Sequence, residues 1–274
     1  AMIRHRAIAN RLIWQRELLH FGPGDAALFK APMGFDISVN EIFLPLVCGA
    51  KLVICAPGQE REVDALAELI AAQRVTFCYL TSSMLALLLD AGPAERLACL
   101  RHVWCGGELL TPALFNRFRS AVDATMYHGY GPAETTIGVS HEIYRAGHEE
   151  RGAVTIGRPN PNTEIYLLDE WLRPVSAGVP GELYIGGLLL GRGYVGEPRR
   201  TAERWVASPF GQPGERLYRA GDLARRRAAD GVLEFLCRAD NQIKIRGMRV
   251  EPEEIEATLV RHPAVRHAAV RTHG

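Results

Sequence analysis

The stretch Met126-Tyr-His-Gly-Tyr-Gly-Pro-Ala-Glu-Thr-Thr136 marks the point at which an apolar run gives way to a polar turn. The glycines and the proline that follow Tyr127 predict that regular structure stops within a few residues. Tyr130 then offers an aromatic face on which a ring can stack, and Glu134 offers hard oxygen ligands suited to Mg²⁺. This combination is typical of a nucleotide site. A solvated surface turn of the same composition is the alternative.

The segments before this stretch alternate between helix and strand patterns. Apolar spacing predicts a helix over 4–21, and the capping-box spacing of Ser38 and Glu41 predicts that a second helix begins at Ser38. Further along, strands are predicted at 26–30, 51–55, 75–80, 102–105 and 124–127, and helices at 63–73, at 82–91 and from Pro112. This alternation predicts an α/β fold with a mostly parallel sheet that is covered on both faces.

Polar segments follow four of the predicted strands, at 34–36, 81–83, 105–108 and 128–134. Because ligands of such sheets bind beyond the carboxyl ends of the strands, we expect these segments to gather at one edge. Asp36 lies at the mouth of a strand-to-helix turn, where its carboxylate can point into a cleft and pair with a cation. A carboxylate that merely offsets the helix dipole is the alternative.

The remainder of the chain has a different character. Short β-rich segments at 164–168, 182–185 and 232–236 are separated by Gly and Pro turns, which predicts a small β-rich, barrel-like unit. A charged segment and a helix at 252–260 then predict the start of an α+β unit. We therefore divide the chain into 1–149 (α/β), 150–239 (β-rich) and 240–274 (a hinge and an incomplete C-terminal unit).

Composition excludes several classes of function. The chain has 274 residues, 47% of them hydrophobic, and a net charge of +1, so no broad basic surface for nucleic acid or anionic membrane is expected. It has no apolar run near the roughly 20 residues of a membrane helix and no signal-peptide pattern, which favours a cytoplasmic location. The six cysteines lack metal-binding spacing and are expected to be reduced and buried.

Two later motifs carry function-capable side chains. Residues 191–196 satisfy G-x-G-x-x-G, but Glu197-Pro198 follows and no βαβ unit surrounds them, so a dinucleotide site is not expected. Asp222 follows a glycine turn and could accept hydrogen bonds from the two hydroxyls of a ribose. Arg238 and Arg246, with Lys244 between them, could bind phosphate or carboxylate, or could belong to a solvated hairpin.

Five motifs together resemble, in order and spacing, the core motifs of adenylation domains of nonribosomal peptide synthetases. These domains belong to the adenylate-forming superfamily, which includes acyl-CoA synthetases and luciferases. The matching stretches are Phe35-Asp36-x-Ser38, Tyr130-Gly-Pro-x-Glu134-Thr135, Gly181-Glu182-Leu with Arg192-Gly-Tyr194, Tyr218-Arg-x-Gly-Asp222-Leu, and Arg238-x-Asp-x-Gln242-x-Lys244-x-Arg-Gly. The resemblance implies formation of an aminoacyl adenylate from ATP, followed by transfer to a phosphopantetheine thiol on a carrier protein.

The resemblance also implies a role for individual positions. It implies catalytic roles for Glu134, Thr135 and Lys244, with Glu134 as the Mg²⁺ ligand. It implies a nucleotide pocket formed by His128, Gly129, Tyr130, Gly131, Asp222, Phe235 and Arg238, with the Tyr130 ring on adenine and Asp222 on the ribose. Asp240 would be the hinge between subdomains, and Asp36 would pair with the substrate's α-ammonium group. Expected partners are a peptidyl carrier protein and a condensation domain.

The same resemblance implies a substrate pocket lined by Asp36, Ile37, Asn40, Tyr79, Trp104, Gly106, Gly129, Ile137 and Gly138. Its three glycines leave room for a long side chain, and no second carboxylate and no cation is expected in it. A long, polar, uncharged side chain such as that of N-hydroxy-N-formyl-ornithine, found in hydroxamate siderophore peptides, follows from this set. A smaller apolar amino acid, with Tyr79 and Trp104 filling the space, is the alternative.

Three departures from the family pattern bear on activity. The phosphate loop expected before Arg4 and the lysine expected beyond Gly274 are not in this sequence, and Ala133 stands where Thr is usual. We therefore expect that the isolated chain does not complete adenylation. An acyl- or aryl-CoA ligase and a catalytically incomplete nucleotide-binding module are the alternative interpretations.

Overall fold

The computed structural model describes residues 1–92, 94–144, 154–239, 243–245, 248–250, 252–262 and 264–270. Its helices in these residues are α1 (His5–Leu19), α2 (Ile37–Cys48), α3 (Val63–Gln73), α4 (Ser82–Asp90), α5 (Pro112–Ala121), α6 (Pro198–Arg204) and α7 (Pro252–Val260). Its strands are β1 (Ala26–Phe29), β2 (Lys51–Ile54), β3 (Phe77–Leu80), β4 (His102–Gly106), β5 (Thr125–Tyr130), β6 (Ser140–Tyr144), β7 (Arg158–Pro159), β8 (Thr163–Leu168), β9 (Gly181–Gly187), β10 (Trp205–Ala207), β11 (Arg216–Arg226), β12 (Leu233–Arg238), β13 (Ile243–Ile245) and β14 (Met248–Val250).

The first sheet has the order β2-β1-β3-β4-β5-β6-β7. Its first five strands are parallel, and β6 and β7 are antiparallel additions at one edge. Successive residues of a strand face opposite sides, so Cys78 packs into one apolar core while Phe77 and Tyr79 pack into another. Both faces are therefore buried, and the predicted α/β fold is confirmed.

The second sheet is antiparallel throughout. It has the order β10-β11-β9-β8, and β12 pairs with the C-terminal half of β11, on the side opposite β9. The hairpin of β13 and β14 and helix α7 follow it. These elements match the predicted β-rich segments and the predicted final helix. The proposed boundaries at 150 and 240 lie outside the described residues, so the division into three parts stays a prediction.

The capping box predicted at Ser38 and Glu41 is wrong. Helix α2 begins one residue earlier, at Ile37, and the hydroxyl of Ser38 donates to the carbonyl oxygen of Phe35 at 2.7 Å. The Glu41 carboxylate instead accepts from the backbone N–H groups of Lys30 (3.0 Å) and Ala31 (2.8 Å). Two backbone donors just beyond β1 hold this buried carboxylate, and it fixes the connection between β1 and α2.

The end of β5 also differs from the prediction. The strand does not stop after Tyr127 but continues to Tyr130, because Gly129 pairs with Gly106 of β4 and Tyr130 pairs with Ser140 of β6. A 3₁₀ turn over Ala133–Thr135 follows. Pairing on both sides thus overrides the local preference of the glycine, and it places Tyr130 on a rigid strand end rather than on a loop.

Burial of the cysteines is only partly as expected. Cys78 and Cys105 are buried, and burial raises the pKa of each thiol to about 12. Cys237 is exposed, which contradicts the expectation for that residue. Within the described parts of the chain, no helix combines the length and the apolar character needed to span a bilayer.

Candidate functional site

Tyr130, Asp222 and Arg238 form a hydrogen-bonded cluster between the two sheets. The Tyr130 hydroxyl donates to one carboxylate oxygen of Asp222, and Arg238 Nη1 donates to the other at 2.9 Å. Burial, together with the Asp222 charge, raises the pKa of Tyr130 well above its usual range, so its hydroxyl stays protonated. Three residues that are far apart in the sequence therefore meet, as the resemblance implies.

Backbone irregularity in β11 accounts for the position of Asp222. The pairing of β11 with β9 shifts between Arg219 and Leu223, and its pairing with β12 shifts at Leu223. Gly221 has φ +72°, a conformation that glycine adopts without steric cost. A bulge of this kind re-aims a side chain, and here it turns the Asp222 carboxylate toward β5.

Glu134 lies in the 3₁₀ turn that follows β5. Its side-chain Oε1 accepts from the Tyr194 hydroxyl at 2.5 Å, and its carbonyl oxygen accepts from the N–H of Gly191 at 2.8 Å. Burial and the Glu134 charge raise the pKa of Tyr194. The G-x-G-x-x-G stretch therefore supports the Glu134 turn. Sequence reasoning noted Tyr194 only as part of a motif and missed this contact.

The backbone beyond Glu134 is strained. Thr136 and Ile137 are β-branched, yet they have φ values of +64° and +72°. Each such conformation costs about 1–3 kcal/mol and persists only where the surroundings enforce it. The Thr136 hydroxyl donates to the carbonyl oxygen of Leu189 at 2.7 Å, and the buried Thr135 hydroxyl donates to that of Pro132 at 3.0 Å. The turn is thus held in one unusual shape.

The other predicted nucleotide-pocket residues differ in their surroundings. His128 is buried, and its Nδ1 donates to the carbonyl oxygen of Thr155 at 2.7 Å, since a carbonyl can only accept. Burial lowers the pKa of His128, so the ring is neutral. The Phe235 ring lies 6.4 Å from that of Tyr130, centroid to centroid. Gly131 is required by packing, because a Cβ there would lie 2.4 Å from the Cα of Gly138.

The predicted amino-acid pocket contains a cation that the sequence analysis did not expect. Arg11 of α1 is only 1% exposed. Its Nε donates to Asn40 Oδ1 at 3.0 Å, its Nη1 to the Gly138 carbonyl oxygen at 3.0 Å and its Nη2 to the Tyr79 hydroxyl at 2.9 Å. The guanidinium carbon also lies 5.4 Å from the centre of the Trp104 ring. The expectation of a pocket without a cation is therefore wrong.

Asp36 lies at the amino end of α2, one residue before Ile37. Burial raises the pKa of Asp36, the Arg11 guanidinium opposes this rise, and the Glu134 carboxylate adds to it. Asn40, one turn further along α2, accepts from Arg11 Nε, and Arg11 Nη1 donates to the carbonyl oxygen of Gly138, just beyond the Glu134 turn. Hydrogen bonds of Arg11 thus connect the first turns of α2 with the segment that follows Glu134.

The space at two of the pocket glycines is filled by side chains. A Cβ at Gly129 would lie 2.3 Å from Trp104 Nε1, and one at Gly138 would lie 3.2 Å from Arg11 Nη1. A Cβ at Gly106 would lie 2.9 Å from the Gly129 carbonyl oxygen. These glycines admit the Trp104 ring and the Arg11 guanidinium, in addition to any room they leave for a substrate.

Replacing Gly129 by Ala should lower the free energy of unfolding by about 1–3 kcal/mol, because the added methyl group overlaps the Trp104 indole. Chemical denaturation, followed by tryptophan fluorescence, measures this change. Gly24→Ala is the matched control, since a Cβ there meets nothing within 4 Å. Equal stability of the two variants would show that the indole does not occupy this space.

Two predicted residues of the last segment cannot be placed in the site. Asp240 lies outside the described residues. Lys244 lies on β13 opposite Arg249 of β14, and only its strand position is described. Among the described residues, no group of three or more His, Cys, Asp or Glu side chains is arranged to hold a metal ion.

Comparison with known proteins shows to which of them the chain is similar. Residues 1–195 match the family described as AMP-binding enzyme. The chain is 44% identical over 271 residues to phosphinothricin tripeptide synthetase PhsB of Streptomyces viridochromogenes, and this match covers 98% of the chain and 22% of that protein. The chain thus spans less than a quarter of the length of this relative.

Solved structures of adenylation domains are also similar to the chain. NpsA-ThdA of Klebsiella oxytoca, an artificially fused adenylation–PCP di-domain, is 32% identical with a TM-score of 0.84, over 97% of this chain and 52% of that one. AlmE, a Vibrio cholerae adenylation domain in complex with glycyl-adenosine-5′-phosphate, is 27% identical with a TM-score of 0.85, over 97% of this chain and 50% of that one. The chain belongs to the AMP-binding enzyme family and, within it, to the adenylation domains of nonribosomal peptide synthetases.

Proposed function

We propose that this chain is the core of a domain that activates an amino acid. In the first step an oxygen of the amino-acid carboxylate bonds to the α-phosphorus of ATP, and the bond to pyrophosphate breaks. In the second step the phosphopantetheine thiol of a carrier protein bonds to the acyl carbon, loses its proton and displaces AMP. The observation that carries this proposal is the hydrogen-bonded Tyr130–Asp222–Arg238 cluster at the end of β5, the strand that the Glu134 turn follows.

The proposed nucleotide pocket depends on hydrogen-bond acceptor sites of Asp222 that Tyr130 and Arg238 do not use. Asp222 uses one acceptor site on each oxygen for Tyr130 and Arg238, and a carboxylate offers about four such sites. The free sites suit the two ribose hydroxyls, and the half-buried Tyr130 ring suits stacking on adenine. His128, Gly129, Gly131 and Phe235 would complete this pocket. Gly129 and Gly131 flank Tyr130 in the sequence, the Phe235 ring lies 6.4 Å from the Tyr130 ring, and His128 lies on the same strand, β5.

The Glu134 carboxylate is a suitable ligand for Mg²⁺. Mg²⁺ is commonly held by one or two carboxylates together with substrate phosphates, so Glu134 alone is sufficient on the protein side. Tyr194 occupies Oε1 of Glu134 and would fix the orientation of the carboxylate. When bound, the ion would neutralise charge on the phosphates. Thr135, buried in the same turn, would hold Glu134 in place.

Asp36 distinguishes this proposal from an acyl- or aryl-CoA ligase. Asp36 is half-buried, and a carboxylate whose charged form is disfavoured gains most from a cationic partner, which the α-ammonium group of an amino acid supplies. A plain fatty or aryl acid has no such group and would leave Asp36 unpaired. Lys244 and Asp240 would serve the second step, as thiolation residue and hinge, in contact with a carrier protein and beside a condensation domain.

For the side chain of the substrate we propose a long, polar, uncharged group such as that of N-hydroxy-N-formyl-ornithine, with siderophore biosynthesis as the setting. Asn40 and Tyr79 are neutral hydrogen-bonding residues of the proposed pocket, and Arg11 donates to both. A smaller apolar amino acid is the second candidate. The packing of the Trp104 indole against Gly129 favours it, because that ring takes up part of the space.

Amino-acid-dependent exchange of pyrophosphate into ATP by the full-length protein tests the function. We expect exchange with an α-amino acid and none with hexanoate or benzoate at the same concentration. Exchange with the simple acids alone would favour the CoA-ligase interpretation. Binding of ATP without exchange for any acid would favour a catalytically incomplete nucleotide-binding module.

A further inference from the structure

Arg11 is a buried cation without an anionic partner in hydrogen-bonding contact. Among the described residues, no carboxylate lies within 4 Å of its guanidinium, and the three groups that accept its hydrogen bonds are neutral oxygens. These acceptors belong to α2, β3 and the turn after β5. A guanidinium has five N–H groups, so one N–H on each terminal nitrogen remains after these three bonds. An arrangement of this kind can bind one more acceptor.

Asn40 adds a second donor whose direction is fixed by Arg11. Its side chain is fully buried, and its Oδ1 faces Arg11 Nε at 3.0 Å. A guanidinium cannot accept a hydrogen bond, so the amide oxygen must be the atom that faces it. The Asn40 Nδ2 group therefore points elsewhere, and it has no partner among the described residues. A buried N–H group without a partner is costly, unless a ligand accepts from it.

The charges of the region favour a neutral ligand at this position. An acidic side chain would add a further anion to a region that already holds the Asp36 and Glu134 carboxylates. A terminal ammonium group would instead lie beside the Arg11 cation, so an uncharged side chain avoids both repulsions. The Asn40 Nδ2 group and the remaining N–H groups of Arg11 therefore favour a neutral oxygen as their acceptor.

We propose that Arg11, which the sequence analysis did not assign to the site, determines specificity by orienting Asn40 and by binding, with it, a neutral carbonyl oxygen near the end of the substrate's side chain. The inference rests on the proposed function and extends it, because it names the group that is recognised. The substrates expected are amino acids with an acylated or amide-bearing side chain. Ornithine, with a free terminal ammonium, and norleucine, without a polar group, should be poor substrates.

The experiment compares N5-formylornithine, ornithine and norleucine in pyrophosphate exchange by the full-length protein. For the wild type we expect kcat/KM for N5-formylornithine to exceed the values for the other two by about 100-fold or more, because donors left unpaired discriminate strongly against analogues without an acceptor. This half of the experiment needs no variant. Norleucine as good a substrate as N5-formylornithine would overturn the proposal. Absence of exchange with every amino acid would instead overturn the proposed function.

Asn40→Asp is the decisive variant. It keeps an oxygen toward Arg11 and replaces the Nδ2 donor by a second oxygen, so the preference should shift from N5-formylornithine toward ornithine by about 100-fold. Asn10→Asp makes the same chemical change next to Arg11, but Asn10 bonds Pro161 and Asn162, so this control should keep the wild-type preference. An unchanged preference in a folded Asn40→Asp variant would contradict the assignment.

Arg11→Lys tests the arginine itself. Lysine keeps the charge but cannot hold three acceptors with a rigid fork, so KM for N5-formylornithine should rise at least tenfold while kcat changes by less. A purely structural role would lower the melting temperature and leave the ratio of kcat/KM values among the three substrates unchanged. Arg16→Lys, on the exposed side of the same helix, is the matched control.

Discussion

Replacing Asp36 by Asn should lower kcat/KM for the amino acid by about 100- to 4000-fold and at the same time stabilise the protein. The loss follows from the proposed pairing with the α-ammonium group. Removing one partner of a buried charge pair costs about 3–5 kcal/mol, and each 1.4 kcal/mol is a factor of ten. KM for ATP should change little, because Asp222 and Tyr130 are untouched.

The gain in stability follows from the pKa of Asp36. Burial raises this pKa in the folded state, so the charged form of Asp36 costs more free energy in the folded protein than in the unfolded chain. Asn has the same shape without the charge, and we expect the free energy of unfolding to rise. The advantage of the variant should shrink as pH falls through the raised pKa and should vanish below about pH 4, where the unfolded Asp36 is also protonated.

Asp25→Asn is the matched control for Asp36→Asn. Asp25 is also shielded from solvent, more so than the half-buried Asp36. It precedes β1, at the opposite end of the strands, and accepts from Arg101 Nη1 at 2.9 Å and from Thr76 at 3.0 Å. Its replacement should lower stability by about 1–3 kcal/mol and leave KM for the amino acid unchanged. If Asp36→Asn behaved like this control in both measurements, Asp36 would be a structural carboxylate and would not bind substrate.

Much of the fold follows from the sequence because the two sheets bury long apolar runs between clear turn signals. The strands from β1 to β5 and the helices between them lie where the alternation predicts them. Ser38 and Glu41 failed as a capping box because Glu41 found two backbone donors beyond β1, a tertiary contact that no local pattern contains. Gly129 failed as a strand terminator for a similar reason, since pairing with Gly106 holds it extended.

The residues of the candidate site that lie in sequence motifs were predictable. Arg11, which comes from the buried face of helix α1, was not. Helix α1 buries the series Ala7, Arg11, Gln15 and Leu19, spaced by four residues, while Ile13 is 52% exposed. A helix prediction that places only apolar residues on the buried face assigns Arg11 to the solvent face. The available signal was the i, i+4 spacing of these four residues, which puts Arg11 and Gln15 on the same stripe as Ala7 and Leu19.

Replacing Asp222 by Asn should raise KM for ATP by at least about 100-fold and lower the free energy of unfolding by about 2–4 kcal/mol. Asp222 connects the first sheet, through Tyr130, with β12 of the second sheet, through Arg238. The side chains of Asp222 and Arg238 are 7% and 17% exposed, so the variant replaces the charged acceptor of a buried ion pair by a neutral one, and such losses are large. The proposed ribose contacts lose their charged acceptor in the same step.

The matched control for Asp222→Asn breaks a neighbouring ion pair between the same two strands. Glu234 of β12 accepts from Arg225 Nε of β11 at 2.6 Å, but Arg225 is about half exposed and neither residue touches Tyr130. Glu234→Gln should therefore cost no more than about 1 kcal/mol and should leave KM for ATP unchanged. Isothermal titration with ATP and chemical denaturation separate the two effects. If Asp222→Asn lost stability but bound ATP normally, the cluster would hold the sheets together without contacting the nucleotide. If both variants weakened ATP binding equally, the nucleotide would depend on the whole β11–β12 pair rather than on Asp222.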